Sequence, residues 1–331
     1  MHTQISINNH NYQSFMKQFK TIFIGLVLLV CASCANDLPE VDDNIIRIQA
    51  NVGMAATKAA SNVQGTQFED DEKVNIYLFE HLDASSSAVY NYGSAGLVAH
   101  SADGAGGLTP DGGALYFPAN GHGIDVYGIY PLTVTESTTS FTFTVKEDQT
   151  TDANYKASDL MYAPCQSDKK KGSPVVLPFA HKLSKVIVKL VQGNGLNTND
   201  LNSATVQILN TYTQCSIASL SKTGIGAITP STQAEDKKPI TVGTWPSSSS
   251  EGIAAIVIPQ SVQVGTPLFQ VSLTNGANYV YTIPSTGAAV TFQSGNVYTY
   301  TLTVTTAAIE VTSTIANWNP GSNESGDAIL Q

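Results

Sequence analysis

Apolar side chains fall on every second position along most of this chain, and the 3.6-residue spacing of a helix barely occurs. A period of two puts alternate side chains on opposite faces of a strand. In residues 46–52, Ile46, Ile48, Ala50 and Val52 share one face. Val74, Ile76 and Leu78 repeat the pattern, as do Phe141 and Phe143. Val186, Val188 and Leu190 form another inward face, with Lys185 and Lys189 opposite. Residues 253–258 are a short apolar run stopped by Pro259. Tyr298, Tyr300, Leu302 and Val304 alternate with threonines, and Ile309, Val311, Ser313 and Ile315 follow after a short break.

Turn-rich stretches at 101–113, 193–199 and 246–252 separate these runs. The pattern predicts an all-β chain of antiparallel sandwiches with Greek-key connections. At 331 residues, there is enough chain for about two domains. Only 13% of residues are charged, but 42% are hydrophobic, so the low charge does not signal disorder. The polar run 166–173, with Lys169, Lys170 and Lys171, reads as a solvated hinge between two halves. No repeat of solenoid or propeller period is present.

Residues 16–33 carry an export signal. Lys17 and Lys20 precede an apolar stretch, 22–30, that is too short to span a bilayer. Met16 is a candidate start as well as Met1. The signal ends in Cys31-Ala32-Ser33-Cys34, which resembles a bacterial lipobox with Cys34 as the acylated residue, although Cys31 stands where leucine is usual. An acidic, proline-containing tether, 35–44, follows. Lipid on Cys34 would hold the chain to a membrane. Cys165 and Cys215 are left, either as a disulfide or as two small buried hydrophobes.

The charge excludes one class of partner. The net charge is −10 and the sole arginine is Arg47, so no basic face is available to a nucleic acid. No catalytic constellation stands out. His81, His100, His122 and His181 are scattered, with none at metal-ligand spacing. His122 and Asp125 read as a polar loop entering a strand, not as an acid/base pair. The glycines at 104–107 open no helix, and no G-x-S-x-G elbow occurs. Glu69, Asp70, Asp71 and Glu72 lack the alternating spacing of a calcium loop and read as a solvated turn. The 14 tyrosines read as half-buried strand residues more readily than as a glycan-binding face. No cofactor or metal is expected.

Four segments, taken in order, resemble the fimbrillin family, the type V pilus subunits and related lipoproteins of Bacteroidales. The first is Cys34 with its tether and the strand at 45–52. The second is Ala56-Thr57-Lys58-Ala59, followed by Phe68, the acidic turn and a strand. The third is Ser158-Asp159-Leu160-Met161-Tyr162-Ala163, then Leu177-Pro178-Phe179-Ala180-His181-Lys182-Leu183-Ser184-Lys185. The fourth is Gly295-Asn296-Val297-Tyr298-Thr299-Tyr300 with the ending Ile309, Val311, Ile315 and Trp318.

The resemblance implies two tandem transthyretin-like Greek-key β-sandwich domains and a structural, non-enzymatic role in a cell-surface fimbria that supports adhesion. It implies a signal peptide at 1–33, a lipidated tether and removable first strand at 34–58, an N-terminal sandwich at 59–168 and a C-terminal sandwich at 169–331. A protease would cut between Lys58 and Ala59, where the best-known members carry arginine. The strand displaced would be that of Ile46, Ile48, Ala50 and Val52. Another subunit would fill the groove with its own C-terminal strand, here Ile309, Val311 and Ile315. The implied partners are other fimbrial subunits, the outer membrane through the lipid on Cys34, and a receptor on a host or bacterial surface. A non-polymerising lipoprotein acting as an anchor, tip adhesin or glycan-binding protein is the alternative.

Overall fold

A computed structural model describes residues 43–53, 67–83, 92–246 and 252–318. Cys34, Lys58 and Ala59 lie outside these residues. The first strands are β1 (Ile48–Val52), β2 (Asp70–Glu80), β3 (Leu97–Asp103), β4 (Gly107–Pro110), β5 (Ile124–Tyr130) and β6 (Phe141–Thr144). A short helix, α1 (Asp152–Ser158), precedes β7 (Met161–Lys169) and β8 (Val175–His181). The chain is all-β, as the alternation requires.

Seven of these strands form one sheet in the order β1-β4-β3-β2-β5-β7-β8, and β8 pairs back on β1 to close it into a barrel. The barrel interior holds Ile46, Ile48, Ala50, Val52, Phe68, Val74, Ile76, Leu78, Val126, Leu177 and Phe179. The run 166–173, expected as a hinge, is instead the end of β7 and its turn into β8. The barrel's last strand, β8, ends at His181.

The later strands are β9 (Ser184–Gln192), β10 (Ala204–Ile208), β11 (Gln214–Ile217), β12 (Leu220–Ser221), β13 (Gly224–Ile225) and β14 (Ile228–Pro230). They continue with β15 (Ile240–Trp245), β16 (Ile253–Val257), β17 (Gln260–Val262), β18 (Pro267–Ser272) and β19 (Asn278–Thr282). The last three are β20 (Val290–Phe292), β21 (Asn296–Val304) and β22 (Ile309–Asn317). Two four-stranded sheets, β15-β10-β18-β19 and β16-β9-β21-β22, share one core, where Phe269 of β18 meets Tyr300 of β21 at 4.8 Å between ring centroids. This is the two-layer packing expected of a sandwich.

The two groups of strands interlock. β6 leaves the barrel segment and pairs with β11, Phe143 opposite Cys215. Every residue of β5 is buried. Its Ile124 and Val126 face the barrel interior, while Tyr127 and Ile129 face the second core. The Tyr127 ring stacks on Tyr77 at 4.8 Å. Gln149 binds β16 as a strand neighbour would: its Oε1 accepts from the Ile256 N–H at 2.7 Å and its Nε2 donates to the Ile256 carbonyl at 2.9 Å. A buried amide satisfied on both sides in this way holds its segment in place. Lys185, expected on a solvated face of β9, is wholly buried because the second face of that strand is covered too. Its ammonium lies 5.8 Å from the Trp318 ring centroid. Cys165 and Cys215 are free thiols, and burial pushes the Cys215 pKa up to about 12.

One glycine sets how tightly the barrel closes. A Cβ on Gly128 of β5 would meet Phe179 Cζ at 2.2 Å and Cε1 at 2.8 Å. Phe179 is packed edge-on against Phe68 and is paired with Val52 of β1, so the ring has nowhere to go. Gly128→Ala is expected to destabilise the protein by about 1–3 kcal/mol through overpacking, read as a lower midpoint in urea unfolding.

Candidate functional site

β1 is the strand on which closure depends. It alternates buried and exposed residues, with Ile48, Ala50 and Val52 inward and Gln49 and Asn51 outward. Ile46, just before it, is also inward and 4% exposed. On one side β1 runs parallel to β8 over five residue pairs, from Ile48 opposite Val175 to Val52 opposite Phe179. The Val175 N–H donates to the Arg47 carbonyl at 2.8 Å, and the Gly53 N–H donates to the Phe179 carbonyl at 3.0 Å. On the other side β1 meets β4 at two pairs, Ile48 with Leu108 and Gln49 with Gly107, and the flanking Ala50 N–H donates to the Gly106 carbonyl at 2.8 Å. Arg47 is therefore built into the barrel wall through its backbone.

The four inward side chains are the apolar content of the seam. Burying three branched aliphatic residues and one alanine contributes roughly 5–10 kcal/mol before ordering costs. Lifting β1 out would break this contact and leave two open sheet edges, those of β4 and β8. Unpaired N–H and C=O groups on such edges bind another strand readily. A cleft of ≈380 Å³ follows this seam, lined among others by Ile46, Arg47, Ile48, Leu108, Pro110 and Pro174. Just before β1 the Ile46 N–H donates to the Leu115 carbonyl, beyond the turn after β4, at 2.8 Å.

The donor residues named from sequence lie elsewhere. Ile309, Val311 and Ile315 belong to β22, which pairs with β21 over nine residues, from Ile309 opposite Val304 to Asn317 opposite Asn296. Ile309 is buried, while Val311 and Ile315 pack on the core only in part. Among the described strands β22 is the last in its sheet, next to β21. In this fold it is a member of its own sheet, so serving another subunit would require it to leave β21.

The polar groups that resemble chemistry are tied into structure. Asp125 Oδ1 contacts His81 Nδ1 at 2.9 Å and accepts from Ser167 Oγ at 2.6 Å, while Oδ2 accepts from Lys222 Nζ. Ser167 and Asp125 meet the same histidine nitrogen, whereas a nucleophile relay needs them on opposite ones. Burial pushes the Asp125 pKa up, but hydrogen bonds from Lys222, Ser167, Asp168 and His81 outweigh it and hold the carboxyl well below the usual range. His122 pairs with Glu80 and not with Asp125. The acidic turn is closed by the Glu69 N–H donating to Glu72 at 2.9 Å, and Lys156 clamps it from outside. Among the described residues no three histidine, cysteine or acidic side chains gather as a metal site.

The described residues thus form an all-β chain in which β1 closes a barrel around its own inward side chains. Residues 57–318 match the fimbrillin-like family, and the chain belongs to it. A relative described as "Putative fimbrium subunit Fim1C", from Bacteroides uniformis, is 26% identical over 325 residues, covering 95% of this chain and all of that one. A crystal structure described as a "putative cell adhesion protein" from Bacteroides uniformis is 25% identical with a TM-score of 0.59, covering 83% of this chain and 99% of that one. A second one so described, from Bacteroides ovatus, has a TM-score of 0.57 at 16% identity, covering 84% of this chain and 99% of that one, and shares the fold.

The β3–β4 wall beside the seam is sensitive to acid. His100 on β3 lies opposite Val74 and is 1% exposed, with Nδ1 2.9 Å from the Val98 carbonyl. Burial lowers its pKa from 6.5 to about 4. Asp111, just past β4, is held below the ordinary range by hydrogen bonds from Lys73 and Ser101. Both folded-state values are depressed, so both contributions are present at neutral pH and lost on acidification. The His100 contribution, about 3 kcal/mol, disappears as pH falls from 6.5 to 4. Unfolding free energy measured across that window should fall, and His100→Gln should flatten the slope.

Proposed function

We propose that this protein is a structural subunit of a cell-surface fimbria that supports adhesion, exported as a lipoprotein through Cys34 and assembled by strand replacement. The observation that carries the reading is that, among the described residues, β1 closes the barrel between β4 and β8, with every inward side chain apolar. Family membership and the name of the Fim1C relative support the fimbrial role. Cleavage between Lys58 and Ala59 would free β1. A strand from another subunit, apolar at alternate positions, would then take its place. Such head-to-tail contacts are open-ended, as a filament requires. The outer membrane holds the precursor through its lipid, and a receptor on a host or bacterial surface is the adhesive partner.

A second reading has its own observation. β22 is paired along its whole length with β21 of its own sheet, and the cut loop offers lysine where an arginine-specific protease needs arginine. Both fit a fimbrillin that keeps its lipid and first strand and acts as an anchor, a tip adhesin or a glycan-binding surface protein.

Intact mass and N-terminal sequencing of the protein from outer membranes of its native host separate the two. A chain beginning at Ala59 is the expected result, and Lys58→Gln should then abolish both cleavage and polymer. A lipid-modified start at Cys34 would select the second reading. Normal polymer from the Lys58→Gln variant would refute the assigned cut site.

A further inference from the structure

Trp318 is the first residue after β22 and is wholly buried, one of the largest side chains in the protein to be so. Along β22 itself Ile309 and Ser313 are buried, while Val311 and Ile315 are only partly so. The Trp318 indole stacks on the His181 ring, with centroids 3.5 Å apart and planes 6° from parallel. His181 ends β8 and is 0% exposed. Its Nδ1 lies 3.0 Å from both carboxylate oxygens of Asp159, which caps the C-terminus of α1. Lys185 approaches the indole at 5.8 Å, and the Trp318 backbone N–H donates to the Gly295 carbonyl at 2.6 Å. The last strand is thus fastened to the end of β8, and β8 is the strand that holds β1 over five pairs.

We infer that the Asp159–His181–Trp318 stack is a coupling latch: the seating of β1 on β8 holds His181 against Trp318, and departure of the first strand loosens the last. The ring stack has one good arrangement, because both rings are enclosed and Asp159 fixes the imidazole from its edge. A shift of the β8 end breaks the stack instead of bending it. Coupling of this kind is reciprocal by linkage, so loosening β22 must also loosen β1. The inference rests on the reading that β1 is the strand which departs, and it makes that event the trigger that readies the far end of the same subunit.

Hydrogen exchange on the full-length monomer tests it. Ile48 faces Val175, and roughly 20 Å of strand separates Val175 from His181, so truncations at Ile48 and Trp318 should act independently unless a device joins them. Ile48→Ala is expected to speed exchange across residues 313–317 by about 5-fold or more, and Trp318→Phe to speed exchange across residues 48–52 by a similar factor. In the Ile48→Ala/Trp318→Phe double variant, the effect of the first change on residues 313–317 should vanish. Residues 124–130 should keep their protection throughout, which separates coupling from global unfolding. His181→Leu serves as the second variant if Trp318→Phe folds poorly, and it should reproduce the effect on residues 48–52. Exchange changes confined to the strand that carries each substitution, or additive effects in the double variant, would overturn the inference. Because monomer exchange does not depend on polymer formation, such a failure leaves the fimbrial reading standing. A monomer that shows coupling but never polymerises would overturn only the fimbrial reading.

Discussion

Closure of the barrel by β1 is the constraint on which the first half of the molecule rests. Among the described residues β1 is the strand that pairs with both β4 and β8, and it supplies Ile48, Ala50 and Val52, with Ile46 just before it, to that side of the core. The ladder counts five pairs toward β8 and two toward β4, and toward β4 the Ala50 and Ile46 N–H groups also donate to the Gly106 and Leu115 carbonyls. The cleft beside Arg47 lies along that side.

The second half depends on shared walls instead of one closing strand. β5 and β9 are buried on both faces, so each contributes to two packing surfaces. Buried side chains such as Gln149 and Lys185 sit where these surfaces meet. Burying a polar group is tolerable only when partners satisfy it, and Gln149 meets this condition through Ile256. Asp125 does the same at the barrel surface, where Lys222 from the β12–β13 turn reaches it across the sheet.

Much of this was legible in the sequence, because period-two alternation reports strands with one inward face. β1, β6, β21 and β22 lie where the alternation places them. The signal failed where a strand has two buried faces. Lys185 falls opposite the apolar face by parity, yet it is buried because that second face is covered too, with Trp318 from the far end of the chain 5.8 Å from its ammonium. The lysine run at 169–171 misled for a related reason. A solvated turn between two barrel strands has the same composition as a linker, and composition does not report which strands the turn joins. The residues around the seam were visible because their pattern is local. The His181–Trp318 stack was not, since contacts between residues so distant leave no periodic trace.

The pairing of β6 with β11, and of β1 with β8, also fixes an order in time. A chain emerges from its amino end, so Ile48 has no β8 to pair with until Val175 has appeared, and Phe143 waits for Cys215. Contacts between such distant residues form slowly, since a long loop must close before they can reward it. The segment destined to become β1 therefore spends the early part of the chain's life as an unpaired apolar strand. A compartment that receives the whole chain before it folds suits this topology better than one in which folding keeps pace with synthesis.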